Sequence, residues 1–354
     1  MRTDSIQLAH GSGGQLSHQL VVDLFLKHFS NPILDELEDA GVFQVPSFKL
    51  QAKSSYDNLQ LETRNLQLAF TTDSYVITPP FFPGGDIGKL AVCGTVNDLA
   101  MRGAQPLYLS AGFILEEGLP MRDLERIVES MARTATEVGA QIVAGDTKVV
   151  NRGSADCIFI NTTGIGLVPA GVGLSAANVQ AGDAVLVSGT LSDHGIAVMI
   201  RREGLAFESE LKSDCTALNG LVAQLLEAAP HTHCLRDPTR GGLATALNEI
   251  AGRAGVGMEI EEQSIPVRDE VRAACELLGL DPQYVANEGK LIAIVPADEA
   301  DAALAAMRGH PLGCDATIIG HTTEEHSGRV VLRTPLGARR ILGMLVGEQL
   351  PRIC

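Results

Sequence analysis

Tryptophan is absent from this 354-residue chain, and aromatic residues of every kind make up only 4% of it. Base-stacking platforms for single-stranded nucleic acid depend on such side chains. No run of lysine and arginine offsets a formal net charge of −16, so phosphate backbones are repelled rather than gathered. Nucleic-acid binding is therefore not expected. No stretch approaches the ~18 consecutive apolar residues of a membrane span. Met1-Arg2-Thr3-Asp4 lacks the apolar core of a signal peptide. Seven cysteines, at 93, 157, 215, 234, 275, 314 and 354, form no CxxC pair. That spacing speaks against a zinc site or a disulfide framework and suits a reducing cytoplasm.

The chain does have apolar residues (45%) and glycine (37 of them). Both fit a compact protein with many tight loops. Its length exceeds one ordinary core, so two domains of roughly 150–200 residues are expected.

Periodicity predicts the elements coarsely. An amphipathic helix follows His10-Gly11-Ser12-Gly13-Gly14, with Leu16, Leu20, Val21, Leu24 and Phe25 at helical spacing. A strand over 66–72 ends at Asp73, and a Pro/Gly loop leads into a helix over 87–102. A strand over 108–115 and a helix from Leu124 to Val138 come next. A short strand over 141–144 is expected to stop at Gly145-Asp146, and a longer one covers 157–168. The segment 169–182 is rich in Gly, Ala and Pro and reads as a domain boundary. Strands and helices alternate again beyond it, interrupted by the Gly-rich turn Asp237-Pro238-Thr239-Arg240-Gly241-Gly242. The fold expected is two α/β (α+β) halves.

Acidic and Gly-rich sites fall at the ends of these elements, where functional groups gather. Gly11-Ser12-Gly13-Gly14 before a helix can present backbone N–H groups to an anion, or can be an ordinary flexible turn. Asp73, Asn97-Asp98 and Gly145-Asp146-Thr147-Lys148 supply hard oxygen ligands of the kind Mg²⁺ takes with phosphate. Asp73, Asp98 and Asp146 could meet at one end of a sheet. Each also has a plainer reading: a helix cap, a solvated helix residue and a turn former.

Taken in order, the segments Thr71–Val76, Gly94–Met101, Ala144–Val149 and Arg236–Gly242 join the opening Gly-Ser-Gly-Gly and the closing Pro351-Arg352-Ile353-Cys354. The set resembles the carbamoyl dehydratases of hydrogenase maturation. These are a branch of the ATP-binding superfamily of aminoimidazole ribonucleotide synthetase and selenophosphate synthetase. The resemblance runs along nearly the whole chain, and Pro-Arg-Ile-Cys is its most specific part.

It implies an N-terminal ATP-binding and dimerisation domain over 1–170, with a mixed sheet and helices. A C-terminal α/β domain over 171–345 and a flexible tail over 346–354 carrying Cys354 complete the chain. Asp73, Asp98 and Asp146 are implied as Mg²⁺ ligands, with Asn97 and Thr147 beside them. Gly11, Gly13 and Gly14 belong to a loop over the ATP phosphates. Asp237, Thr239, Arg240 and Gly241 close the site from the second domain, and Lys148 and Glu288 form a polar pair around the cysteine. His194, in Ser192-Asp193-His194-Gly195, matches a loop of the family and serves as well for a structural turn.

The implied reaction is ATP-dependent dehydration of a carbamoyl group on the Cys354 thiol to a thiocyanate. A carbamoyltransferase partner loads the cysteine, and an iron-binding maturation complex receives the cyanide for a nickel-iron hydrogenase. A homodimer is expected. Two alternatives remain at this level. One is another ATP-dependent synthetase of the superfamily, against which Ser12 and Gln15 stand where a selenophosphate synthetase carries a reactive Cys and a Lys. The other is a non-enzymatic maturation scaffold.

Overall fold

The computed structural model describes residues 7–45, 49–53, 58–62, 66–204, 211–347, 350 and 352–354. Two sheets organise them. The first has five strands in the order Gly41–Gln44, Gln67–Tyr75, Ile158–Val168, Gln105–Glu116, Gln141–Val150. Its last two strands run parallel and the other pairs antiparallel. The strand Ile158–Val168 alternates buried and more exposed residues with period two, as a sheet covered on one face requires. The cover consists of the helices Ile87–Met101 and Met121–Glu137.

Ile87–Met101 differs from an ordinary surface helix. Apolar or small residues surround it, and all but Lys89 and Asp98 are buried. A helix that is apolar all round belongs inside. One side packs on the first sheet; Ala100 and Met101 at its end join a core cluster of the second domain with Leu174, Leu218 and Leu221. Asp86 starts the helix by accepting hydrogen bonds from the N–H groups of Gly88 and Lys89 at 2.8 and 3.1 Å, a cap worth ~1 kcal/mol. Gly94 is required because a Cβ there would strike the Tyr75 hydroxyl.

The second sheet has seven strands in the order Cys234–Arg236, Ile292–Val295, Ala184–Val187, Thr317–Thr323, Gly257–Glu261, Val330–Arg333, Arg339–Leu342. Val185, Val187, Ile292 and Ile294 face a core with the helix Gly242–Ala254. Leu186, Ala293 and Val295 face the opposite core with the helices Asn219–Ala228 and Ala300–Arg308. Burial on both faces explains the unbroken apolar runs of these strands.

The first sheet's strands end at Val168 and the second sheet's begin at Ala184. Two expectations about strands change. Asp73 lies inside its strand, which continues to Tyr75. The strand from Gln141 runs through Gly145-Asp146 to Val150. Gly and Asp favour turns in isolation, but pairing with Gln105–Glu116 carries the chain straight through them. No helix among the described residues is long and apolar enough to cross a membrane.

Candidate active site

The site lies where the two domains and the end of the chain meet. Tyr75 projects from its strand on the same face as Asp73, and its hydroxyl lies 3.4 Å from the Thr95 hydroxyl of the buried helix. Across from it, Asp98 of the buried helix accepts a 2.7 Å bond from the Thr71 hydroxyl, which is also 3.1 Å from the Asp39 carbonyl. Asp39 in turn meets Arg236 at 2.6 Å, and Asp237 follows directly in the chain. Four carboxylates, from Asp39, Asp73, Asp98 and Asp237, thus share one buried region.

Burial is the main cause that pushes the Asp98 carboxyl well above the usual carboxylate range, and Asp237, Asp73 and Asp39 add repulsion. Burial raises Asp73 too, opposed chiefly by Arg240. Asp237 is pushed up to about 6, again by burial first, with Arg236 opposing. Like charges gathered in a poorly solvated place need a cation. Asp39 Oδ2 is buried and finds no hydrogen-bond partner among the described residues. These donors are all oxygens, which fits Mg²⁺ rather than a softer metal.

Beside the cluster, a cavity of about 310 Å³ is lined by Gly11, Gly13, Asp237, Thr239 and Arg240 among others. The N-terminal glycines and the Gly-rich turn of the second domain therefore do come together. Arg240 donates to the Gly11 carbonyl at 2.9 Å. Gly13 has φ +74°, and a Cβ on it would lie 2.7 Å from the Arg240 carbonyl, so no side chain fits. Gly241, at φ +80°, has its space taken by Thr245. Gly14 abuts Leu345, whose carbonyl accepts the Gln15 N–H; its task is to seat the loop.

The end of the chain enters this site. Ile353 and Cys354 are buried, with the cysteine 7% exposed. Its thiol lies among Arg240, Glu288 and Asp73, whose charges act on it. Burial raises the thiol well above the ordinary range, with Arg240 opposing and Glu288 and Asp73 adding to it. Glu288 is itself pushed well above the usual carboxylate range, first by burial and then by Asp237 and Asp214. Its Oε1 is buried with no hydrogen-bond partner, leaving an acceptor aimed at the site. The Cys354 charge in turn raises Arg240.

Other expected residues stand elsewhere. Asn97 is buried and spends its amide between the domains: Nδ2 donates to the Thr216 carbonyl at 3.0 Å and Oδ1 accepts from the Leu218 N–H at 2.8 Å. It clasps the domains and does not line the cavity of the Gly-rich segments. Asp146, Thr147 and Lys148 lie on the exposed edge strand of the first sheet. Asp73 pairs through Thr162 and Ala111 to Gly145, so three strand spacings, roughly 14 Å, separate Asp73 from the edge. Asp146 and Lys148 point away from the helix-covered face and pair with each other at 2.8 Å. Within one protomer, Asp146 does not join Asp73 and Asp98, and Lys148 does not stand by Cys354. Lys148 and the Thr147 N–H hold the Asp146 carboxyl below the usual range.

Asp39 and Arg236 belong to the cluster without having been singled out in the sequence. Arg236 sits in a recognisable segment, but Asp39 follows Asp35, Glu36 and Glu38 and looks like one more surface acid.

Two Gly-rich segments lining one cavity, a shared carboxylate cluster and two domains of this build define an AIR synthase-type ATP-binding protein. The family model "AIR synthase related protein, N-terminal domain" matches residues 38–168, and "AIR synthase related protein, C-terminal domain" matches 180–333. The chain belongs, within that class, to the family of the carbamoyl dehydratase HypE. It is 52% identical to "Carbamoyl dehydratase HypE" of Azotobacter vinelandii, over 100% of this chain and 98% of the relative. A crystal structure of the hydrogenase maturation protein HypE in complex with ATP is 50% identical. It superposes with a TM-score of 0.79, covering 99% of this chain and 100% of the other. A crystal structure of a HypE–HypF complex has a TM-score of 0.83 at 46% identity, covering 92% and 99%.

Proposed function

We propose that the docked tail is the reacting position of an ATP-dependent carbamoyl dehydratase of hydrogenase maturation. Cys354 carries the substrate. The observation that supports this most is the buried Cys354 at the end of a docked tail, its thiol under the charges of Arg240, Glu288 and Asp73 beside the carboxylate cluster. A carbamoyl group on Sγ places its amide among a base, a cation and the nucleotide cavity.

The bonds balance as follows. The carbamoyl oxygen takes the γ-phosphoryl group of ATP, which converts a poor leaving group into a good one. The C–O bond then breaks, phosphate and ADP leave, both N–H protons are removed, and carbon and nitrogen end as a nitrile on sulfur. Glu288 accepts a proton from nitrogen; its raised affinity for protons suits a base working near neutrality. Arg240 offsets negative charge gathering at the transferred group. Asp73 and Asp98, with Asp39 and Asp237 beside them, would hold Mg²⁺, which supplies neutralisation of phosphate charge. Gly11, Gly13, Thr239 and Gly241 form the wall toward the phosphates.

Docking also keeps the Cys354 thiol protonated, and a protonated thiol is a poor nucleophile. Loading therefore takes place with the tail withdrawn, on a carbamoyltransferase partner; a solved relative forms a complex with HypF. The cyano group passes afterwards to an iron-binding maturation complex. The setting is the cytoplasm. The protein works as a homodimer, in which a second copy covers the outer face of the first sheet, where Phe70, Tyr108 and Ile114 are exposed. Asp146 and Lys148 lie on that same strand edge and complete the partner's site across the interface.

Mass spectrometry of carbamoyl-loaded protein tests this. With Mg-ATP the C-terminal peptide loses one water, and Cys354→Ala shows neither loading nor loss. A loaded peptide that stays unchanged with Mg-ATP would overturn the reading.

A further inference from the structure

The docked tail is held by its main chain. The Val76 N–H donates to the Cys354 carboxy-terminal oxygen at 3.2 Å and the Thr78 N–H to the Arg352 carbonyl at 3.1 Å. Two side chains of the second domain complete the grip. His194 Nε2 lies 2.7 Å from the Ile353 carbonyl. Arg202 donates to the Arg352 carbonyl at 2.6 Å while its Nε holds the Thr78 carbonyl at 2.8 Å. Arg202 thus ties the tail and its docking segment to one guanidinium.

The local chemistry fixes the histidine's form. The Ile353 carbonyl can only accept, so Nε2 carries a proton. Burial disfavours a second proton on the ring, so Nδ1 accepts from the Ser213 hydroxyl at 2.7 Å while Ser213 Oγ accepts from the Cys215 N–H at 3.0 Å. His194 is fully buried, with Phe82 packed edge-on at 5.4 Å. A buried neutral imidazole with both nitrogens satisfied is a fixed donor rather than a proton shuttle. Neither His194 nor Arg202 bonds the Cys354 sulfur.

We infer that His194 and Arg202 are positioning residues that clamp the tail by the carbonyls of Ile353 and Arg352, independently of what the sulfur carries. A thiol, a carbamoyl and a cyano form then dock through the same contacts. The inference rests on the docked tail being the reacting position, but its first test needs neither ATP nor cargo.

Full-length protein is treated with iodoacetamide at fixed pH, and alkylation of Cys354 is followed against the exposed Cys314 in the same molecule. Cys354 is expected to react more slowly. His194→Ala should speed Cys354 relative to Cys314 roughly tenfold, the shift expected from losing one buried hydrogen bond. His194→Gln, whose amide can donate in place of Nε2, should restore most of the protection. Arg202→Ala should also expose Cys354, and it serves where His194→Ala fails to fold. A ratio unchanged in both His194→Ala and Arg202→Ala overturns the clamp. In loaded protein the same variants should slow single-turnover dehydration while ATP affinity holds. A loss of protection with no dehydration even in wild type would leave the clamp standing and sink the enzymatic reading instead.

Discussion

Two groups of aspartates on the first domain, alike in sequence, live in opposite surroundings. Asp73 and Asp98 are packed with Asp39 and Asp237 where burial raises their proton affinity. Asp146 is exposed, its proton affinity lowered by the adjacent Lys148. The first group is poorly solvated and repels itself, so it gains most from a divalent cation. The second is already neutralised and sits on a bare strand edge, so it gains most from another protein surface. The difference shows that the carboxylates of one motif set can lie in opposite electrostatic surroundings, one starved of countercharge and one already paired.

Breaking the cluster should have the largest effect. Asp98→Asn is expected to weaken Mg-ATP binding at least tenfold, about 1.4 kcal/mol, by calorimetry, while raising the melting temperature of the nucleotide-free protein because a carboxyl whose ionisation burial penalises is replaced by a neutral amide. Asp146→Asn should leave that melting temperature unchanged and act on activity and self-association, read by sedimentation. Equal losses of Mg-ATP affinity at fixed dimer content would erase the contrast.

The next effect concerns the seam beside the cluster. Asn97→Ala leaves the Leu218 N–H and Thr216 carbonyl without their partner and should cost about 2 kcal/mol of stability in denaturant unfolding. Asn97→Asp should keep only the acceptor half of the clasp. A neutral result would mean the domains hold together without it.

The smallest effect is on pH dependence. Burial lowers the His194 proton affinity, with the Asp214 charge opposing. Because its folded pKa lies below the unfolded value near 6.5, the unfolded chain binds the proton more readily. The stability contributed by neutral His194 is present above about pH 6.5 and is lost as pH falls below it. The raised carboxylates work in the opposite direction, so the informative quantity is the wild-type melting curve minus that of His194→Gln between pH 7.5 and 5.5. That difference should shrink with acid.

Much of the architecture was legible from local pattern. The strands expected over 66–72, 108–115 and 157–168 are present, the first two longer than expected. The helix Met121–Glu137 followed from its apolar stripe. The strands Cys234–Arg236 and Arg339–Leu342 were too short and mixed to stand out. Gly145-Asp146 misled because turn preference is local, while the strand is set by a neighbour more than thirty residues earlier. Of the site, the Gly-rich segments and Asp73, Asp98 and Asp237 were readable as motifs. Asp39 was not, since its place depends on Arg236 almost two hundred residues away. The docking of Cys354 was equally hidden, because the tail is gripped by its main chain, which no side-chain pattern announces.

Asn97 and Asp98 are consecutive residues of one rigid helix, about 100° apart around its axis. One is bolted to the second domain and the other faces the carboxylate cluster. A roll of that helix cannot move one without the other. The seam between the domains and the carboxylate cluster thereby share one rigid part, so a shift in the alignment of the halves is felt among the carboxylates, and the pocket beside Ile353 lies along the same seam.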